Sequence, residues 1–281
     1  MRSSLLALLS RSAHLPLVAV LAAMWPVWQW VATRAASDTS DAWALLSLAT
    51  AAVLIWRGRA LGTDSRATRD LDGGDVRAGW GLAAALMLLY AASYPFAMPL
   101  VRAMLAMSAL AAACSTLWFR SRMELWLCGL LLLSLPLIPS LNFYAGYPLR
   151  AVVGDLTCLL LQMDGFAAVR DGATLLWNGR QIAIDAPCSG IKMLWTGAYL
   201  CCALAGLQRF NTKGTLLLGT LTLIIVILAN VLRATALFFV EGGIVPQAKP
   251  AHELIGVIAF TLAAMAVAGA AAKMRRIAHA S

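Results

Sequence analysis

Apolar residues fill long, nearly unbroken runs of this chain, at about 15–33, 41–56, 78–94, 97–118, 123–141, 190–208, 214–240 and 251–272. A helix needs about 20 predominantly apolar residues to cross a bilayer. Inside lipid every backbone polar group must find its partner within the protein, which favours helices. The pattern therefore predicts an all-α polytopic membrane protein with about eight transmembrane helices. A ninth apolar run, 149–163, is shorter and carries Arg150 and Asp155.

The pattern changes after residue 165. The stretch FAAVRDGATLLWNGRQIAID, residues 166–185, consists of short, partly alternating runs separated by Asp171-Gly172 and Asn178-Gly179. Such pairs are the strongest short-range hairpin signals, because tight hairpin turns need positive φ. A small β-meander over about 166–185 is expected. Pro187 follows it and suits the start of a helix.

The basic residues orient these elements. Arg57, Arg59, Arg66, Arg69 and Arg77 crowd loop 57–77, Arg120 and Arg122 loop 119–122, and Arg209 and Lys213 loop 209–213. Lys273, Arg275 and Arg276 sit in the tail. Loops 34–40, 95–96 and 241–250 hold one, none and one basic residue. Lys and Arg mark cytoplasmic loops. Starting inside and crossing five spans leaves residue 142 outside, and residue 188 must also be outside. The 149–163 run is then expected not to cross, lying instead as a short interfacial or re-entrant helix. Both termini fall in the cytoplasm, with residues 1–14 a basic leader before an uncleaved first span. The expected organisation is one integral membrane domain over 1–281. Its membrane core is 15–272, with an extracytoplasmic insertion at 142–187 and a basic cytoplasmic tail at 273–281.

Composition agrees. The chain has 281 residues, 61% hydrophobic and 12% charged, with a net charge of +9. Soluble domains carry about 25% charged residues, so the surrounding medium is lipid. The positive charge then reports loop orientation, and no nucleic-acid partner is expected. The ten tryptophans fall mostly near span ends, where an aromatic belt accounts for them. Six cysteines form no Cys-x-x-Cys pair, so neither a metal nor a redox cofactor is indicated.

Five of the cysteines lie within apolar runs and read as small core residues. Cys188, in DAPCSGIKMLW, lies at the edge of one. At the N-terminus of span 190–208 the helix dipole and free N–H groups would favour a thiolate. Lys192 at i+4 would add positive potential from the same helix face. The Ser189 and Gly190 amides are placed to donate to an oxyanion. On the same outer side, ANVLRATALFF carries Asn230 and Arg233 three residues apart in span 214–240. A charge within a span usually faces a polar cavity or a partner, although Arg233 could instead form a structural ion pair or snorkel to the interface. His252 opens the last span. Glu253 adjoins it as a possible orienting acid, but helix neighbours do not share a face. Cysteine, arginine and histidine together supply a nucleophile, a charge stabiliser and an acid/base for acyl transfer.

Cys-Ser-Gly-Ile at 188–191, Asn-x-x-Arg at 230–233 and the histidine opening the final span are similar to the exosortase/archaeosortase family in order, spacing and span position. The likeness covers about 15–272. It implies a membrane cysteine transpeptidase or protein-sorting protease with Cys188 as nucleophile, Arg233 as the motif arginine and His252 as the triad histidine. It further implies membrane-anchored protein substrates with a C-terminal sorting helix, in bacteria typically of the PEP-CTERM type and often beside exopolysaccharide genes. The expected location is the bacterial inner membrane, with the active site on the extracytoplasmic side. Pro187 departs from the small residue many members carry there.

Other readings stay open on the residues alone. A transporter would use Arg102, Lys192 and Arg233 along a path, but neither internal symmetry nor paired broken helices are visible. A non-catalytic scaffold for exopolysaccharide assembly would tolerate loss of Cys188. A rhomboid-like protease would want Gly-x-Ser-Gly, whereas Ser189 here follows the cysteine. A lipid acyltransferase would also pass through a Cys188 thioester.

Overall fold

The computed structural model describes residues 14–37, 42–65, 73–183, 190–245 and 251–280. Ten α-helices and one small sheet occur among them. They are α1 His14–Ala23, α2 Trp25–Ser37, α3 Ala42–Ser65, α4 Gly73–Ala92, α5 Pro99–Cys114, α6 Leu125–Leu133, α7 Ile138–Met163, α8 Ile191–Gln208, α9 Thr212–Glu241 and α10 Ala251–Ala280. The strands are β1 Val169–Asp171, β2 Thr174–Trp177 and β3 Arg180–Ala183. The chain divides into two compact units, Met1–Pro136 with Gly206–Thr212, and Leu137–Ala205 with Lys213–Ser281.

Three helices are long and apolar enough to cross a membrane: Pro99–Phe119, Thr212–Glu241 and Ala251–Ile277. The number rises to five if each of two broken pairs, α1 with α2 and α6 with α7, counts as one span. Ala44–Gly58 and Val76–Ala92 are shorter apolar helices. The eight spans expected from hydropathy are thus matched by three to five on length and composition. Prolines explain part of the difference. Pro26 lacks the N–H that would continue α1 into α2, and the two meet at 54°. Pro136 breaks the 123–141 run, so α6 has only 9 residues.

Beyond that break the structure revises the sequence reading. The 149–163 run is not a separate short helix. It is the second half of α7, a 26-residue helix that starts at Ile138 and continues through Pro148. Pro139 sits in its first turn, where a missing N–H costs nothing. The helix is one-sided: Gly146, Val153, Gly154, Thr157, Cys158 and Leu161 are buried, whereas Phe143, Tyr144, Tyr147, Leu156, Leu159 and Met163 are exposed. An exposed face this apolar suits contact with acyl chains.

In the first unit, α5 is lined with small buried residues, Ala103, Ala106, Ala109 and Ala111 to Ala113, which allow close helix approach. It runs into a π-helical turn, Ser115–Phe119, closed by Arg120 at φ 52°. The Ser47 hydroxyl ties α3 to α6 by donating to the Leu130 carbonyl at 2.7 Å.

The second unit is organised around α9. Met193, Val226, Ala229 and Ala263 join α8, α9 and α10 in one cluster. Val153, Val231 and Ala234, with Leu149, join α7 to the next turn of α9. Near its C-terminal end Leu237 and Phe238 pack with Cys158, Leu161, Ala168, Leu175 and Ile182, so the sheet rests on α7 and α9.

The expected meander forms as an antiparallel sheet of order β1-β2-β3. Asn178 and Gly179 take φ values of 49° and 74°, as a type I′ turn requires. The first turn lies one residue later than the Asp-Gly pair suggests. Asp171 pairs with Thr174, so Gly172 and Ala173 form the loop, with Gly172 at φ 60°. Arg170 pairs with Asp155 of α7, fixing β1 on that helix. Trp177 and Phe166 meet Phe238 edge to face at 5.4 and 5.8 Å between ring centroids.

Candidate functional site

Asn230 and Arg233 lie one turn apart on α9, and each touches a different neighbour. The Asn230 side chain is 2% exposed and sits against the backbone of Gly190, just before α8. A Cβ at Gly190 would lie 2.6 Å from Asn230 Nδ2 and 3.0 Å from its Cγ. Gly190 also has φ 74°. Both the space and the backbone conformation therefore require glycine. Its carbonyl accepts the first turn's bond from Leu194 N–H at 2.7 Å.

Arg233 points to the other side. Its guanidinium lies over Gly256 of α10, where a Cβ would meet Nε at 3.5 Å, Nη2 at 3.6 Å and Cζ at 3.7 Å. His252 is four residues before Gly256, on the same face and one turn nearer the start of α10. Helix packing thus brings the arginine within one turn of the histidine.

His252 has an acidic neighbour, and it is not Glu253. Glu253 is exposed in the first turn of α10. His252 Nδ1 instead lies 3.7 Å from Glu241 Oε1, at ion-pair range and beyond a hydrogen bond. Glu241 is the last residue of α9. The helix end is held there by a Schellman motif: Gly243 N–H donates to the Val240 carbonyl at 3.2 Å and Ile244 N–H to Phe239 at 3.1 Å. Arg180 of β3 adds a third tie, donating from Nη1 to the Gly242 carbonyl at 2.8 Å. The meander therefore clamps the turn that presents Glu241. Glu241 is 11 positions from the histidine, so the sequence does not mark it as a partner; the Gly-Gly pair after it is the available signal of a helix end.

Cys188, with Pro187 and Ser189, lies outside the described residues. The structure does revise one relation built on it. Cys188 and Lys192 are not four apart on a continuous helix, because α8 begins at Ile191 and Gly190 is left-handed. A left-handed residue breaks the right-handed helical register between them. Lys192 is exposed.

One comparison bears on this arrangement. The family model described as a transmembrane exosortase matches residues 35–269. The chain belongs to the transmembrane exosortase family. No curated protein and no solved structure matches it. The matched region of this exosortase-family chain contains every element of the cluster: the start of α8, the Asn230–Arg233 turn of α9, Glu241, and the His252–Gly256 turn of α10. It is a multi-pass membrane protein by family and by its apolar helices.

Proposed function

We propose that this exosortase-family protein is a cysteine transpeptidase or protease that cleaves C-terminal sorting signals of exported proteins at the outer face of the bacterial inner membrane. PEP-CTERM-type signals are the substrate class that the family likeness implies. The observation that carries the reading is the position of one α9 turn. Asn230 holds the segment just after Cys188, while Arg233 reaches the turn of α10 below His252.

In this mechanism a substrate helix docks among the spans with its basic tail inside and its recognition motif outside. The Cys188 thiolate attacks the scissile carbonyl, and Arg233, with the amides of Ser189 and Gly190, stabilises the tetrahedral oxyanion. His252 protonates the leaving amine as the C–N bond breaks and a thioester forms. An amine, another nucleophile or water then attacks the thioester, with His252 taking the proton. Asn230 supports the Gly190 backbone. Lys192 contributes positive potential near the outer surface, separate from the helix face first assigned to it. Glu241 orients His252 as the third member of a nucleophile–base–acid arrangement. The distribution of basic loops supports a topology with both termini inside and these groups on the outer face.

The test is co-expression with an exported protein bearing a C-terminal sorting helix. Wild type should convert the precursor to a shorter or transferred product, and Cys188→Ala should accumulate precursor at equal expression. Continued processing by Cys188→Ala would sink the nucleophile and return the chain to a scaffold reading.

A further inference from the structure

Arg102 poses a separate problem at the opposite end of α5 from Arg120 and Arg122. It sits in the first turn of an apolar, span-length helix, where a charge is costly unless it is matched. Its guanidinium stacks on the Tyr94 ring, with Cζ 4.3 Å from the centroid. Its Nε is buried and makes no hydrogen bond among the described residues. The cation borders a cleft of about 110 Å³ lined by Pro26, Val27, Trp30, Tyr90, Tyr94 and Pro99, with no carboxylate among them.

The cleft has the size and position of a headgroup site. Its volume is well below the ~300–1,000 Å³ that encloses a drug-sized ligand. It belongs to the ends of α4 and α5 remote from the Arg-rich loops 57–77 and 119–122. By the distribution of basic residues that end faces the outer leaflet. Tyr94, Phe96 and Met98, in the connection between the two helices, are exposed at 51%, 79% and 69%, an apolar rim suited to acyl chains. A planar guanidinium matches a phosphate oxygen pair better than a point charge would.

We infer that the Arg102 cleft binds the phosphodiester of an outer-leaflet anionic phospholipid, with the guanidinium on the phosphate and the aromatic walls against the glycerol and upper acyl chains. The site is independent of the cysteine chemistry. It supplies an anion to a cation whose cleft lining holds no carboxylate.

Native mass spectrometry of the full-length protein in detergent tests this, with phosphatidylglycerol and a diacylglycerol of the same chains as probes. The wild type should retain phosphatidylglycerol in preference to diacylglycerol. Arg102→Gln should weaken that retention at least about tenfold, the scale of one charge-assisted contact. Arg102→Lys, which keeps charge without the fork, should fall between them. Equal retention by wild type and a folded Arg102→Gln protein would overturn the inference. So would displacement of the lipid by millimolar inorganic phosphate, which would mark a free-anion site. If Arg102→Gln does not fold, the Lys variant and the wild-type preference decide: retention unchanged in Arg102→Lys, or no preference for the phosphate-bearing lipid, overturns it.

Discussion

The Arg233 guanidinium of α9 lies over Gly256 of α10, with Nε 3.5 Å from where a Cβ on Gly256 would stand. The missing side chain leaves a seat for the arginine one turn from His252. Because 3.5 Å is an ordinary contact, Gly256→Ala should fold and retain most activity. Gly256→Leu should push the guanidinium off its seat. Precursor-processing rates should separate the two by about a hundredfold or more, the scale of losing one oxyanion donor. Equal rates would remove Arg233 from the chemistry.

Gly190→Ala should be far less tolerated than Gly256→Ala. It combines a left-handed backbone, worth about 1–2 kcal/mol against a Cβ-bearing residue, with a 2.6 Å approach to Asn230 Nδ2. A lower melting temperature together with lost processing is the expected outcome. Asn230→Ala in the same background should recover part of the stability by removing the clash, which a double-mutant cycle would measure.

Arg233→Lys should process poorly, because an ammonium does not replace a planar fork. Wild-type turnover in that variant would leave Arg233 with a purely structural role.

Glu241→Gln should reduce kcat about tenfold with little change in KM, as expected for a group that positions His252 without touching substrate. Glu241→Asp should recover part of the loss, and Glu253→Gln should have no effect. An unchanged kcat in Glu241→Gln would dismiss the pairing as incidental.

Arg180→Ala removes the tie from β3 to the Gly242 carbonyl. The loss should be about 1 kcal/mol. Hydrogen exchange should read it as about fivefold faster opening over residues 239–245, with the rest of α9 unchanged.

Much of this protein is legible along the chain because the governing forces are local. A run of apolar residues reports a membrane medium wherever it lies, and Asn178-Gly179 specifies its own turn through two positive φ values. The Asn-x-x-Arg and His motifs could be read for the same reason: each is a few residues on one element.

What the tertiary structure decided is where those elements break and which faces meet. Pro136 divides a run that hydropathy reads as one span, and α7 absorbs the segment expected to stand alone. Hydropathy windows average over a proline, whereas the backbone must give up a hydrogen bond there. Glu253, adjacent to His252 in sequence, turns about 100° away around the helix, and Glu241 approaches across the connection between α9 and α10. Likewise nothing in the sequence around Gly256 announces Arg233. Its seat exists only because two antiparallel helices pack at that level, a pairing set by the whole second unit.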